Sequence, residues 1–273
     1  MIVSDEQFAL LKQKELQIMI EIDRVCRKHD IKYSLAFGTL IGAIRHKGFI
    51  PWDDDIDVFM TRDNYDKFKE VIKTDLDDKM FFIDRSNNKH FGLLFGKMML
   101  KNTLMSEVTT PKRVPSGIFV DIFVVEKTSL DEKEQRNQFN KYWTLRRIFL
   151  RRCFYMFKES FVAKLMYRVS GCLCHLLPSK LLDKKDAKNK LKFKNLQKFK
   201  WILCEVDDKK FENAIYDRSV FENYIDAEFE GKKFMVIKDY DFLLRSIYGD
   251  YMELPPVESR SPQHVVRALD LGE

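Results

Sequence analysis

The chain has 273 residues, of which 45% are hydrophobic and 33% are charged. This composition is typical of a globular protein with a charge-rich surface, and it excludes disordered, collagen-like and low-complexity chains. The longest stretch without a charged residue covers residues 33–44, which is shorter than the roughly 18 apolar residues that a transmembrane helix needs.

Hydrophobic periodicity and turn residues predict an α+β or mixed α/β fold whose strands cluster before residue 126. The first predicted helix contains Asp5 and Glu6 near its start, which is unlike a signal peptide. In chain order, we predict a helix (6–29), a strand (31–37) that Gly38-Thr39 interrupts, a short helix (40–45), a strand (56–60), a helix capped by Asp63 (to about 76), strands (80–85, 91–100 and 118–125) and a mostly helical region (131–200).

The net charge of +6 is concentrated in one region. Residues 141–200 contain 17 Lys and Arg but three acidic residues, a net +14, which leaves −8 for the rest of the chain. This asymmetry predicts an anionic partner for that region. Residues 143–175 interleave basic and large apolar side chains, a pattern found in helices that lie in a membrane interface. A core-facing helix with a solvated basic side is the alternative, and nucleic-acid binding is the least favoured interpretation.

The cysteines give no sign of a disulfide framework or a zinc site. Their number is odd and no C-x-x-C pair occurs, so we expect reduced thiols in a cytoplasmic protein. The five cysteines are Cys26, Cys153, Cys172, Cys174 and Cys204.

The most informative segment packs four carboxylates into the five positions 53–57. Carboxylates this close repel one another and have raised pKa values unless a cation neutralises them. Strand alternation would place Asp55 and Asp57 on one face, a good site for Mg²⁺ or Mn²⁺. A solvated acidic turn is the alternative. An EF-hand is excluded because the sixth and twelfth positions of the loop would be Val58 and Asn64.

Two further features support a phosphate-binding metal site. Gly38-Thr39 follows a strand and opens a helix, where backbone N–H groups and a hydroxyl can approach phosphate oxygens. Asp121 lies inside an apolar strand, where a carboxylate is costly unless it is paired or binds metal. We therefore expect Asp121 to be a third metal ligand, with a salt bridge as the alternative.

The segment from Tyr33 to Val58, which includes Gly38-Thr39 and Pro-Trp-Asp-Asp-Asp-Ile-Asp, resembles the LicD family of the nucleotidyltransferase superfamily. The resemblance continues at Asp121 and resumes in the C-terminal part at Phe-Glu-Gly, Tyr-Gly-Asp and Pro-Pro. It implies a nucleotidyltransferase-like mixed β-sheet core flanked by helices, with a mostly helical basic insertion. The implied units are a catalytic core (1–130), a basic region for acceptor or membrane contact (131–200) and a C-terminal segment that completes the core (201–273).

The resemblance implies transfer of phosphocholine from CDP-choline to a sugar hydroxyl of a lipid-linked teichoic acid precursor or related glycan, with release of CMP. The fukutin-related proteins share the motif and transfer ribitol phosphate, so ribitol phosphate or glycerol phosphate is an alternative to phosphocholine as the transferred group. The implied cofactor is Mg²⁺ or Mn²⁺. The expected location is the cytoplasm, at the inner face of an anionic membrane, and no nucleic-acid partner is expected.

By the same resemblance, Asp55 and Asp57 are the main metal ligands and Asp53 is a further one, whereas Asp54 is structural. Asp121 is either a ligand or the base that activates the acceptor. The expected donor- and phosphate-binding residues are Gly38, Thr39, Arg45 and His46. The candidates for binding choline or another part of the substrate are Trp52, Tyr33, Glu230, Tyr248 and His264, with aromatic faces suited to a quaternary ammonium.

Three rival functions remain open. A true nucleotidyltransferase would use the same metal site but release pyrophosphate from an NTP. A glycosyltransferase would use Asp55-x-Asp57 to hold a nucleotide sugar, which leaves Gly38-Thr39 and Asp121 unexplained. A lipid- or nucleic-acid-binding protein led by the basic region would leave the acidic cluster unexplained.

Overall fold

The computed structural model describes residues 4–157, 160–205, 210–262 and 264–272. Within these ranges, the chain has an α+β fold with seven α-helices and eleven strands. The helices are α1 (Asp5–Lys28), α2 (Phe37–Ile41), α3 (Arg62–Val71), α4 (Glu132–Cys153), α5 (Phe161–His175), α6 (Ser179–Leu191) and α7 (Tyr240–Tyr248). The strands are β1 (Ser34–Leu35), β2 (Asp57–Thr61), β3 (Met80–Ile83), β4 (Gly96–Leu100), β5 (Leu104–Glu107), β6 (Phe119–Thr128), β7 (Lys200–Ile202), β8 (Ile215–Tyr216), β9 (Tyr224–Phe229), β10 (Lys232–Ile237) and β11 (Val266–Asp270).

The main sheet is mixed and has the strand order β1-β2-β6-β4-β3, with β7 on the far end of β6 and β8 beside β7. Strands β2 and β6 are its parallel pair, and the other pairs are antiparallel. Every residue of β2 is buried, which explains why its sequence is a continuous apolar run after Asp57. Two further antiparallel pairs lie outside this sheet: the hairpin of β9 with β10, and β5 with β11 from the C-terminal end of the chain.

Helix α1 forms because its sequence supplies both a cap and an apolar stripe. Ser4 and Gln7 make a reciprocal capping box at its start. The buried stripe follows three- and four-residue spacings. One member of the stripe is a carboxyl, Glu15, between Leu11 and Ile18.

Several predicted elements differ from the structure in extent. The strand predicted over 91–100 begins only at Gly96, because Phe91–Phe95 is a buried loop whose apolar side chains signal burial, not a strand. Gly38 and Thr39 do not form a break between a strand and a helix. They lie within α2, and a π-helical turn (Gly42–His46) continues that helix. The N-cap of α3 is Thr61, and Asp63 lies in the first turn, because β2 runs directly into the helix.

The basic region forms α4, α5 and α6, and its last residue, Lys200, opens strand β7. Two of its arginines have structural partners. The Arg146 guanidinium contacts the Glu205 carboxylate at 3.1 Å. Arg152 donates hydrogen bonds to three carbonyl groups at the end of α5, those of Cys174, His175 and Leu177. Lys158 of the basic pattern lies outside the described residues.

The C-terminal part of the chain packs on the region that leads into the acidic segment. The backbone N–H of Ile237 donates to Ser34 Oγ at 3.0 Å. The Tyr33 hydroxyl donates to Asp23 Oδ1 at 2.6 Å and accepts from the backbone N–H of Met235 at 3.2 Å. Tyr33 is fully buried, so its prediction as a choline-binding residue was wrong: its ring belongs to the core and joins α1 to β10.

We expect Tyr33→Phe to lower the free energy of unfolding by about 1–3 kcal/mol, because the variant leaves the buried Met235 N–H without an acceptor. Chemical denaturation followed by circular dichroism measures this change. The same variant should keep its KM for any choline-containing donor. A raised KM with unchanged stability would contradict this assignment of Tyr33 to the core.

Candidate active site

The centre of the site is a pair of carboxylates on neighbouring parallel strands. Asp57 and Asp121 are direct partners in the register of β2 and β6, and both are buried. The Asp57 backbone N–H donates to Thr39 Oγ1 at 2.9 Å, which fixes the start of β2 against α2. Asp57 Oδ1 has no hydrogen-bond partner among the described residues. A buried carboxylate oxygen of this kind is available to a cation.

The segment 53–55 brings further carboxylates to the same place from a loop before β2. Burial and neighbouring acidic groups raise the pKa of Asp53 and of Asp57, and burial raises the pKa of Asp55 to about 8. Asp55 precedes the strand, so strand alternation does not set its direction as predicted. The loop lies so close to α2 that a Cβ on Gly38 would stand 2.5 Å from Asp53 Oδ2. Gly38 therefore admits the Asp53 carboxylate.

His264 joins the cluster from the C-terminal end of the chain. Pairing of β5 with β11 sets Glu107 opposite Val266, which places His264 near both strands. Its backbone N–H donates to Asp54 Oδ2 at 3.1 Å, and its Nδ1 lies 3.2 Å from Asp54 Oδ1. Although burial alone would lower the pKa of His264, the hydrogen bond with Asp54 and the nearby carboxylates raise it to about 9. Asp54 thus contacts the C-terminal segment at His264, and its purely structural role stays a prediction.

Lys97, a minor candidate from the sequence for contact with phosphate, neutralises part of the cluster, a role that the sequence pattern did not predict. Lys97 of β4 lies 2.9 Å from Asp121 Oδ1 and donates to Asp121 Oδ2 at 3.1 Å. It also stands 3.2 Å from the centre of the Phe119 ring. Burial opposes its charge, but Asp121 and Glu107 raise the pKa of Lys97 overall. Asp121 therefore has the ion pair that we considered as the alternative to metal binding.

A second buried group, Glu15 of α1, was also missed. Its side chain is completely buried, and neither carboxylate oxygen has a hydrogen-bond partner among the described residues. One turn earlier on the same helix, Lys12 Nζ donates to the carbonyls of Ile50 and Pro51 in the loop that leads to Asp53. Burial, followed by the charges of Asp55, Asp54 and Asp53, raises the pKa of Glu15 well above its ordinary value. Burial and the acidic loop therefore both favour the protonated form of Glu15, which lies behind that loop.

The side chains present fit a hard divalent cation. Carboxylate oxygens are the ligands that Mg²⁺ and Mn²⁺ prefer, and Asp57 Oδ1 is buried with no hydrogen-bond partner in the part of the chain that the structure describes. Ligand atoms of Asp54, Asp55 and His264 lie within 4.8 Å of one another. This group shares only Asp55 with the ligand set expected from the sequence, which was Asp53, Asp55, Asp57 and Asp121.

An open cleft of about 540 Å³ lies beside the carboxylates. Five of the residues that line it were singled out in the sequence. Most of the other lining residues come from the segment after α7. The five are Gly38, Arg45, Trp52, Asp53 and Tyr248. Asp250, Glu253 and the ring of Tyr251 complete a wall that is aromatic and acidic, which is a suitable surface for an organic cation.

The predicted phosphate-binding side chains have other partners in this structure. Arg45 donates to the backbone carbonyls of Tyr251 and Glu253, and Thr39 is buried against β2. Burial, followed by the charge of Arg45, lowers the pKa of His46. These side chains shape the cleft, and their contact with phosphate stays a prediction.

The remaining substrate candidates separate clearly. Trp52 is half-buried in the cleft, and the Arg260 guanidinium stands 5.2 Å from its ring centre. Tyr248 is partly exposed at the same cleft. The Glu230 carboxylate accepts the backbone N–H of Phe49 at 3.0 Å and lies against Gly48, so it holds the loop before Pro51, and its contact with a sugar or ribose stays a prediction.

We expect Glu15→Gln to stabilise the metal-free protein at pH 7. Because the pKa of Glu15 is raised in the folded protein, its carboxyl group stabilises the fold fully below the unfolded-state pKa of 4.5. This stabilisation is lost as the pH rises through the folded-state pKa. The neutral amide of Gln removes this pH dependence, so the stability that the variant gains over the unmodified protein should shrink as the pH falls toward 4.5. Thermal unfolding of both proteins in EDTA between pH 4.5 and pH 7 measures this gain.

Glu21→Gln is the matched control on the same helix. Glu21 accepts hydrogen bonds from Arg24 and from the backbone N–H of Asp77, so removing its charge should lower the melting temperature at pH 7. If Glu15→Gln destabilised the protein as Glu21→Gln does, the Glu15 carboxylate would have a cationic partner and the interpretation would be wrong.

Comparison with known proteins agrees with the predicted resemblance. A family model described as LicD/FKTN/FKRP, nucleotidyltransferase domain, matches residues 30–179. The chain is 34% identical over 270 residues to the lipopolysaccharide cholinephosphotransferase LicD of Haemophilus influenzae, covering 94% of this chain and 95% of that protein. An uncharacterized protein of Rickettsia typhi is 38% identical over 56 residues, 20% of this chain and 18% of its own. The chain belongs to the LicD family, and it is a transferase.

Proposed function

We propose that this enzyme transfers phosphocholine from CDP-choline to a hydroxyl group of a cell-envelope glycan and releases CMP. The observation that carries the proposal is the buried carboxylate cluster beside an aromatic and acidic cleft, in a chain of this family. The Haemophilus influenzae relative is named for action on lipopolysaccharide. A teichoic acid precursor would present the same chemical group, a sugar hydroxyl, and is the second acceptor class to test.

In the proposed reaction, the acceptor hydroxyl oxygen forms a bond to the phosphorus of phosphocholine, and the bond from that phosphorus to the bridging oxygen of CMP breaks. Asp53, Asp55 and Asp57 would hold Mg²⁺ or Mn²⁺, with Asp121 as a further ligand. The cation would supply charge neutralisation for the leaving CMP. As the alternative role, Asp121 takes the hydroxyl proton; burial raises its pKa even beside Lys97, which suits a proton acceptor.

The cleft is proposed to bind the choline group. The Trp52 ring already accommodates the Arg260 guanidinium, and Asp53, Asp250 and Glu253 add negative charge to the wall. A quaternary ammonium gains both from the ring face and from this potential. The aromatic face of Trp52 favours choline, whereas the carboxylates of the same wall would also accept hydrogen bonds from the hydroxyls of ribitol or glycerol.

We also propose a nucleotidyltransferase-like core built on β2, β6 and α2, with the segment 201–273 completing the catalytic unit and 131–200 serving acceptor or membrane contact. Support comes from the matching family model, which describes a nucleotidyltransferase domain. It also comes from the contacts of β7 with β6, of β10 with Ser34, and of His264 with Asp54.

The donor test follows CMP release from a panel of CDP-choline, CDP-ribitol and CDP-glycerol with Mg²⁺, in the presence of a lipopolysaccharide-type or teichoic-acid-type acceptor. We expect turnover of CDP-choline and its loss in EDTA. Asp57→Asn and Asp121→Asn should reduce kcat by about 100-fold to 10,000-fold. Asp63→Asn, at the start of α3 and away from the cluster, is the matched control and should keep full activity.

Turnover of CDP-ribitol or CDP-glycerol alone would show that a group other than phosphocholine is transferred, by the same proposed mechanism. Release of pyrophosphate from CTP, without CMP release from any CDP-linked donor, would instead identify a nucleotidyltransferase.

Replacing Trp52 tests the choline site separately. Trp52→Leu should raise the KM for CDP-choline about tenfold, because a cation–π contact contributes about 0.5–2 kcal/mol, while Trp52→Phe should retain much of the affinity. The inhibition constant of CMP should not change, since CMP lacks choline. An equal loss of CMP affinity would assign Trp52 to the nucleotide or to the shape of the loop.

A further inference from the structure

Helix α5 presents a continuous apolar face to solvent. Its packed stripe has the usual three- and four-residue spacing and consists of Ala163, Tyr167, Ser170, Gly171 and Cys174. The opposite side carries large apolar side chains at the same spacing, all of them exposed: Phe161, Val162, Leu165, Met166, Val169 and Leu173, followed by Leu176. Phe161 is 80% exposed and Leu176 is 79% exposed. We call these seven residues the outward face of α5.

The position of α5 on the protein is fixed, so the outward face cannot turn inward by a small rotation. A Cβ on Gly171 would stand 2.7 Å from the Arg151 carbonyl oxygen, which shows how closely α5 crosses the end of α4. Arg152 donates to three carbonyls at the C-terminal end of α5 and secures that end. The apolar side chains are therefore held on the surface by packing on the other side of the helix.

The charge around this face favours an anionic partner. Residues 141–200 carry a net +14, and the exposed basic side chains near the outward face include Arg147 and Arg151 on α4 and Lys164 and Arg168 on α5. Within the basic pattern predicted over residues 143–175, Arg146 and Arg152 have structural partners instead. The apolar part of this surface therefore comes from α5, and its positive charge comes from the basic residues at the border of the outward face.

Two basic residues of α5 line a groove that is also lined by residues adjoining Glu107 and His264 in the chain. This groove has a volume of about 770 Å³ and is lined by Lys164 and Arg168 of α5 and by Val108 and Val265. Val108 follows Glu107 and Val265 follows His264 in the chain, and Val108 N–H donates to the Val265 carbonyl at 2.9 Å. A surface bound at α5 would thus be close to the groove that borders the candidate site.

We propose that the outward face of α5 inserts into the interface of an anionic phospholipid bilayer, with the surrounding lysines and arginines on the headgroups. An amphipathic helix with a large apolar face and basic borders binds in this way. None of the helices within the described ranges is long and apolar enough to span a bilayer. The inference deepens the proposed function, because a lipid-linked glycan acceptor is presented at such a surface.

Vesicle flotation tests the proposal without donor or acceptor, so its outcome is independent of the proposed reaction. The vesicles contain phosphatidylcholine with about one third phosphatidylglycerol, with pure phosphatidylcholine for comparison. We expect binding to the anionic vesicles that weakens as NaCl increases. The triple variant Leu165→Gln, Val169→Gln, Leu173→Gln should bind at least about tenfold more weakly, because it removes apolar area that would enter the interface.

The matched control replaces two apolar residues that are exposed elsewhere, Leu130→Gln and Phe242→Gln, and should bind as the unmodified chain does. Circular dichroism confirms that each variant is folded. As a second readout, a tryptophan introduced as Met166→Trp should be quenched by brominated lipid, whereas one introduced as Phe242→Trp should not be.

Absence of binding by the unmodified chain to anionic vesicles at low salt would overturn the proposal. Binding that the triple variant retains would assign the contact to another surface. If sedimentation instead showed a dimer that the triple variant converts to a monomer, and vesicles did not bind, then a second copy of the chain would cover this face.

Discussion

The structure depends on confining several negative charges in one buried place. Asp57 and Asp121 stand side by side on parallel strands, and the loop 53–55 and Glu15 bring further carboxyl groups toward them. Burial alone makes the charged forms unfavourable, and mutual repulsion adds to that penalty. Raised pKa values at Asp53, Asp55, Asp57 and Glu15 are the consequence. Such an arrangement is stable only where protons or cations reduce the charge.

The surrounding elements supply part of that compensation. Lys97 comes from the neighbouring strand β4 and pairs with Asp121, and His264 comes from the chain's last segment and contacts Asp54. Neither fully balances the cluster, because Asp57 Oδ1 and both oxygens of Glu15 keep no hydrogen-bond partner within the described ranges. This residual negative charge is what makes a divalent cation a natural complement. The cleft with Trp52 then extends the same negative potential to an organic cation.

The protein also separates its charges by region. The carboxylates are gathered at the ends of central strands, while the helical layer of α4, α5 and α6 carries the positive charge and the exposed apolar face. An anionic acceptor or lipid would be attracted to the helical layer, and the groove beside Lys164 and Arg168 borders the residues that follow Glu107 and His264. The two surfaces are therefore adjacent, although they attract ligands of opposite charge.

Local patterns in the sequence determined α1, β2, β6, the helical basic region and the family, because apolar spacing, capping residues and the Pro-Trp-Asp-Asp-Asp-Ile-Asp segment all act over short distances. Glu15 within the apolar stripe of α1 is a signal, visible in the sequence, of a buried carboxyl group. Only the tertiary structure decided that Lys97 neutralises Asp121, that Tyr33 lies in the core, that Glu230 holds the loop at Phe49, and that His264 reaches Asp54. These contacts join residues that are far apart in the chain, or on different strands, so their energies depend on sheet order and register. Neither the order of the strands nor their register can be read from local patterns in a single sequence.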